Sequence, residues 1–202
     1  MGKRKLILVV VCWCILKLIQ YYFLPYFIVV IFWLGLSVGV FLILIIQILK
    51  MLKERKALNN FRIIKVAVFG LLFFLTINNT IVNGIIEKAD WRFFYKKRIE
   101  IVEHVKERKL NPNVNWNRWV CELPFEFPVI SNGGNDIGIE RNIKGDTLTV
   151  TFWVFRSFFN STSTHFVYTN NKNKIIEFEN FIKHDSNRNW KIKENWYRIF
   201  TN

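Results

Sequence analysis

From Leu6 to Leu49 the chain runs forty-four residues with Lys17 as its only charge. A membrane crossing takes about 20 apolar residues at 1.5 Å rise to cover roughly 30 Å of hydrocarbon, so this stretch predicts two helices joined by a tight connection. The segment from Tyr21 to Tyr26 supplies the connection, with Pro25 to stop a helix and tyrosines whose ring bodies and polar tips suit the headgroup layer. The first span is expected over 6–22 and the second over 26–49. Ile63 to Ile86 adds twenty-four residues with Lys65 as their only charge, close enough to one end for its stem to reach the interface. This predicts a third span over 63–86. A single water-soluble globule is thereby excluded: the chain is 51% hydrophobic and 22% charged, and the two kinds of residue are segregated.

Orientation follows from the Lys and Arg of the short loops. Lys3, Arg4 and Lys5 precede the first span, and Lys50, Lys53, Arg55, Lys56, Arg62 and Lys65 lie around the linker before the third, against the single acid Glu54. Both regions are expected in the cytoplasm, which sends everything after Ile86 outside it. A first stretch that crosses once or re-enters would invert the tail, at the cost of leaving an apolar segment about twice the usual length unexplained. The bulky continuation of the first span argues against a cleaved secretory signal, Leu6 stands where a myristoylation signal wants Ser or Thr, and Val11 before Cys12 argues against lipoprotein processing. The abundance of Lys, Ile and Asn fits an AT-rich bacterial genome.

A net charge of +14 invites a nucleic-acid reading, but its distribution opposes it. Residues 1–86 carry ten basic groups and one acid, a +9 accounted for by topology and by attraction to anionic lipid heads. The rest carries nineteen basic and fourteen acidic groups, interspersed, so no nucleic-acid partner is expected. The lipid bilayer is the first partner implied. Cys12 and Cys14 point to different sides of a helix and read as packing residues, and Cys121 reads as a buried thiol. No cofactor and no metal are expected.

Within the spans, Gly35 and Gly39 form a G-x-x-x-G that lets a neighbouring backbone approach closely. Thr76, Asn79, Thr80 and Asn83 follow i, i+3, i+4, i+7 spacing and predict a polar stripe that binds helix to helix. Either feature would serve a homo-oligomer or a larger membrane complex. With no Asp, Glu or His inside a span to relay a proton or hold an ion, transport is disfavoured.

Residues 87–111 hold no proline or glycine before the stop at Asn111-Pro112, which predicts an amphipathic connector helix. Its early turns mix Trp91, Phe93, Phe94 and Tyr95 with Arg92, Lys96, Lys97 and Arg98, a membrane-surface composition, and Phe94, Ile101 and Val105 form an apolar line by which the helix can leave the membrane and pack on the domain, although a connector stalk is the reading preferred. The remaining 112–202 change texture. Ile137, Ile139, Arg141 and Ile143 alternate, Lys144-Gly145-Asp146 turns the chain, and Leu148, Val150, Phe152 and Val154 alternate again, so a hairpin is predicted. Further strands are expected over 165–169 and 195–201, a helix over 174–184, and a flexible turn at Asn132 to Asp136. The class is three transmembrane helices followed by a small α+β domain with an antiparallel sheet.

Catalytic constellations are missing from the sequence. His104, His165 and His184 belong to no metal-binding spacing, no phosphate loop follows Gly133-Gly134, and no nucleophile elbow occurs. The one enzymatic alternative is a membrane-bound hydrolase that uses His165 with Ser157, Ser161 or Ser163. The surplus is aromatic instead: six tryptophans follow the third span, more than a core this small needs, and three clusters pair Trp with Arg. These are Trp116 to Trp119 with Arg118, Trp153 to Phe159 with Arg156, and Trp196-Tyr197-Arg198. Trp, Tyr and Arg dominate binding hot spots, so an extracytoplasmic binding domain is expected. Its partner would be a protein or envelope component, met through Trp153, Arg156, Trp196, Tyr197 and Arg198, as in an accessory subunit, a sensor or a protective immunity-type binder. A purely structural subunit acting through its spans is the remaining alternative.

Overall fold

The computed structural model describes residues 2–24, 26–142, 146–155 and 162–201, and it divides at Lys88/Ala89 into two compact units. The expected fold class is the one observed: three long apolar helices, then an antiparallel six-stranded sheet with helices.

The first unit holds α1 (Lys3–Phe23), α2 (Tyr26–Lys53) and α3 (Asn60–Ile77), each long and apolar enough to cross a membrane. A single 3-10 turn, Arg55–Ala57, lies in the α2–α3 linker, where Arg62 pairs with Glu54. Most large apolar side chains of these helices point outward, as they must in a lipid solvent, while Leu6, Trp13, Val40, Phe69, Leu72 and Val82 form the interior. The expected third span ends early. The helix breaks at Asn78 (φ −84°, ψ 57°), whose own side chain donates to the Phe74 carbonyl, and α4 (Asn79–Lys106) starts at the next residue. Asn competes with the helix by bonding nearby backbone, so the hydropathy run continued across a point where the local hydrogen bonds did not.

The second unit, from Ala89 on, is built on strands β1 (Val120–Glu122), β2 (Asp136–Arg141), β3 (Leu148–Phe155), β4 (Ser163–Thr169), β5 (Trp190–Lys193) and β6 (Trp196–Thr201), with helix α5 (Lys172–His184) between β4 and β5. Their spatial order is β1-β2-β3-β4-β6-β5, all neighbours antiparallel. The predicted hairpin is β2–β3, with Ile137 opposite Phe152 and Ile139 opposite Val150; its Lys144-Gly145 turn and Ile143 lie outside the described residues. β1 and β5 were not legible, being three and four residues long.

Cross-strand partners share a face. One face therefore carries Cys121, Ile137, Ile139, Val150, Phe152, Phe166, Tyr168 and Trp196, and α4 covers it: the Trp91 ring packs at a tilt against Phe166 at 4.9 Å and edge-on against Trp196 at 5.2 Å, and Ile101, Val102 and Val105 are buried. From Ala89 onward the expected connector is thus a core element of the sheet domain. Its apolar line needed a sheet to pack on, and strands from later in the chain provide it. Arg141 closes the C-terminal end of α4 by donating to the Val105 carbonyl and, at 2.7 Å, to Asn111 Oδ1, a cation at the negative end of the helix dipole. On the opposite face α5 packs Phe178 into Val167, Tyr197 and Ile199.

The expected flexible turn is tied down. Gly133, Gly134 and Asn135 all have positive φ, and Asn135 (φ 58°) is buried with every polar group engaged. Its Oδ1 accepts from Ile130 N (2.8 Å) and Ser131 N (3.3 Å), and its Nδ2 donates to the carbonyls of Glu126, Pro128 and Phe125 at 2.9–3.2 Å. Glycine and asparagine are there because the left-handed conformation admits them, not because the segment moves.

Candidate functional site

The part of the opposite face that α5 leaves uncovered is floored by aromatic rings. Trp153 (β3) and His165 (β4) are register partners whose rings meet edge-on at 6.1 Å, and Trp119, just before β1, lies 5.5 Å from Trp153. Trp119 passes over β2 at Gly138, where a Cβ would stand 2.3 Å from the indole ring. A glycine inside a strand is thus what allows the tryptophan to lie across the sheet.

The segment that delivers Trp119 is a small hairpin folded on itself. Val114 bridges Asn117, whose Oδ1 accepts from Trp119 N at 3.0 Å, and Ile139 N donates to the Trp119 carbonyl at 2.7 Å. Asn113 fastens its base, donating to the Glu122 carbonyl and accepting from Glu122 N. At its tip Trp116 is 67% exposed, Arg118 is exposed, and Trp119 keeps 39% of its surface open. Two accessible indoles and a guanidinium on a loop pinned at both ends form a surface preorganised for contact.

The other two clusters are placed differently. Trp153 is 5% exposed, and Trp196 and Tyr197 are buried, so these three are core side chains and the expectation that they form an open binding face is corrected. The reason is topological: β3, β4 and β6 are central strands, covered on one face by α4 and on the other by α5 or by Trp119. Burial accordingly pushes the Tyr197 hydroxyl above its usual range, with the Glu179 carboxylate adding to the shift. Arg198 is half-buried, donates to the Arg188 carbonyl and stacks on Trp190 at 4.6 Å. Arg156 lies outside the described residues, as do Ser157 and Ser161 of the hydrolase alternative. Among the described residues no group of His, Cys, Asp and Glu is arranged to hold a metal ion.

The membrane unit has a polar locus of its own, and Lys17 is its centre. Although it is 1% exposed, its ammonium donates to Gln20 Oε1 at 3.0 Å and Asn79 Oδ1 at 2.8 Å. Thr76 receives the Trp13 indole N–H on its hydroxyl and that of Trp33 on its carbonyl, both at 2.8 Å. Thr76 and Asn79 therefore do join helices, as the stripe predicted. Thr80 is exposed, and the buried Asn83 Oδ1 has no hydrogen-bond partner among the described residues. Because the helix is interrupted at Asn78, helical spacing does not carry from Thr76 to Thr80. A Cβ at Gly35 or Gly39 would meet nothing within 4 Å, so neither glycine brokers a close approach among the described residues. Lys17 was visible as the lone charge of its span, but its acceptors were not, and the Gly138 contact had only the signal of a glycine within a strand pattern.

Fold and site together define a multi-pass membrane protein that carries an aromatic-surfaced α+β domain. No known protein family, no curated protein and no solved structure matches the chain.

Proposed function

We propose that the chain is a membrane-anchored binding protein whose sheet domain lies outside the cytoplasm and recognises a protein or envelope component through the Trp116–Trp119 hairpin. The observation that carries this reading is the pair of accessible indoles beside Arg118, held on a loop whose backbone is fastened to β1 and β2. Such anchors lose little conformational freedom on binding, and aromatic and Arg side chains give the most energy per residue in an interface. The outside location rests on the basic residues at the N-terminus and around the α2–α3 linker together with the three spans.

The test is photo-crosslinking in intact cells from position 118 in two backgrounds, native and Trp116→Ala/Trp119→Ala. Capture of a discrete partner that falls at least tenfold in the double variant, with near-ultraviolet dichroism otherwise preserved, is the expected result. Equal capture in both backgrounds removes the hairpin from the interface. Impermeant labelling of the carboxyl-terminal tail in intact cells checks the location separately, and protection of that tail until lysis overturns it.

A further inference from the structure

We infer that the sheet domain has a second, lipid-facing surface: Phe93 on α4 and Phe127 on the loop before β2 enter the headgroup layer of the bilayer that holds the chain's own spans. The two side chains are 78% and 68% exposed, and among the described residues no large apolar side chain of this domain is more open. They belong to adjoining structure. Arg98 on α4 donates twice to the Ile130 carbonyl of that loop, at 2.8 and 3.1 Å, and the Lys97 ammonium lies 5.3 Å from the Phe125 ring.

Phe127 protrudes from a rigid support. The carbonyls on both sides of it, of Glu126 and Pro128, are held by the Asn135 amide, so its exposure does not come from a loose loop. Aromatic surface left this open to water is unfavourably hydrated, and an apolar covering phase relieves it. The surrounding charges select the phase. Arg92 and Lys96 flank Phe93 and are exposed, Lys97 is paired with Glu100 at 2.9 Å, and Glu126 is the one exposed acid beside Phe127. Rings among cations are the composition of a helix seated at a membrane surface, where anionic headgroups accept the cations and the acyl boundary takes the rings.

Chain connectivity supplies a second argument: α4 begins two residues after the last span ends at Ile77, and Arg92, Phe93 and Lys96 follow within twenty residues of that end.

The experiment places a spin label at Phe93→Cys, at Phe127→Cys and, as a control on α5, at Ile176→Cys, each in a full-length Cys12→Ser/Cys14→Ser parent. The labelled proteins are reconstituted in phosphatidylethanolamine/phosphatidylglycerol vesicles, with the parent carrying buried Cys121 as the blank. At 93 and 127, collisions with dissolved oxygen should exceed those with an aqueous nickel chelate, and at 176 the order should reverse. Nickel accessibility at 93 and 127 equal to that at 176 overturns the inference. Protection from both reagents overturns it as well, since that means protein rather than lipid covers the rings. None of the three positions belongs to the Trp116–Trp119 hairpin, and partner capture is read separately by crosslinking from position 118, so failure of this inference and failure of the binding reading are distinguishable.

Discussion

Arg98 and Asp90, eight residues apart on α4, meet at 2.6 Å with both side chains enclosed in the sheet domain. The same guanidinium donates to the Asp90 and Ile130 carbonyls and lies 4.9 Å from the Phe166 ring. It thereby joins helix, loop and sheet. Asp90→Ala leaves that cation buried without its counter-charge and is expected to cost about 3–5 kcal/mol. Arg98→Lys also destabilises, because an ammonium cannot reproduce the planar fork that reaches three acceptors. Asp90→Leu/Arg98→Met should cost less than the sum of the single losses, since both charges leave together. Urea unfolding followed by tryptophan near-ultraviolet dichroism reads all three.

Asn135 separates two effects that usually coincide. Asn135→Gly keeps the positive φ accessible but loses the side-chain bonds to five backbone groups, whereas Asn135→Ala loses the bonds and adds the steric penalty of a Cβ at φ 58°. Both variants should be destabilised, Ala more than Gly by about 1–2 kcal/mol. Equal unfolding midpoints would contradict the assignment of φ as part of the cost.

Gly138→Ala tests the aromatic floor. The added methyl would fall inside the volume of the Trp119 ring, so the indole must leave its position against Trp153. Overpacking of this kind costs typically about 1–3 kcal/mol. The expected result is a loss of the Trp119–Trp153 exciton signal in near-ultraviolet dichroism together with weakened partner capture. Retention of both would mean that the hairpin does not depend on this contact.

Cys121 is buried, and burial together with the nearby Asp136 carboxylate pushes its thiol above its usual range. A raised thiol pKa keeps the unreactive protonated form dominant at pH 8, because the thiolate is the nucleophile. In a Cys12→Ser/Cys14→Ser background, maleimide should label the native chain slowly and the urea-unfolded chain fast. Comparable rates in the two states would place the thiol at the surface.

Thr76 and the two helix-two glycines should behave oppositely. Thr76→Val removes the hydroxyl that accepts from Trp13 and should weaken the membrane unit by about 0.6–1.7 kcal/mol in bicelle unfolding. Gly35→Ala and Gly39→Ala enter open space and should not weaken it, each gaining up to about 0.5–1 kcal/mol from helix propensity. A large loss at either glycine would show a close helix approach at that face.

The architecture was largely legible in the sequence, and the candidate site only in part. The three spans, the β2–β3 hairpin, β4, β6 and α5 each announce themselves within a window of consecutive residues, through an apolar run or a period of two or 3.6. Of the three Trp–Arg clusters, only the one at Trp116–Trp119 presents open indoles among the described residues. Nothing near Trp153 or Trp196 in the chain distinguishes them, because the side chains that bury them, Trp119, His165, Trp91 and Phe152, come from elsewhere.

What the sequence determined by itself is where hydrocarbon is the solvent and where a sheet begins, since transfer free energy and strand alternation are properties of neighbouring residues. What the tertiary structure decided is which surface remains: the conversion of the expected connector into a core helix, the interruption at Asn78, the cradle at Gly138 and the exposure of Phe93 and Phe127. Burial depends on which distant segments meet, and that is fixed only when the strands have found their partners.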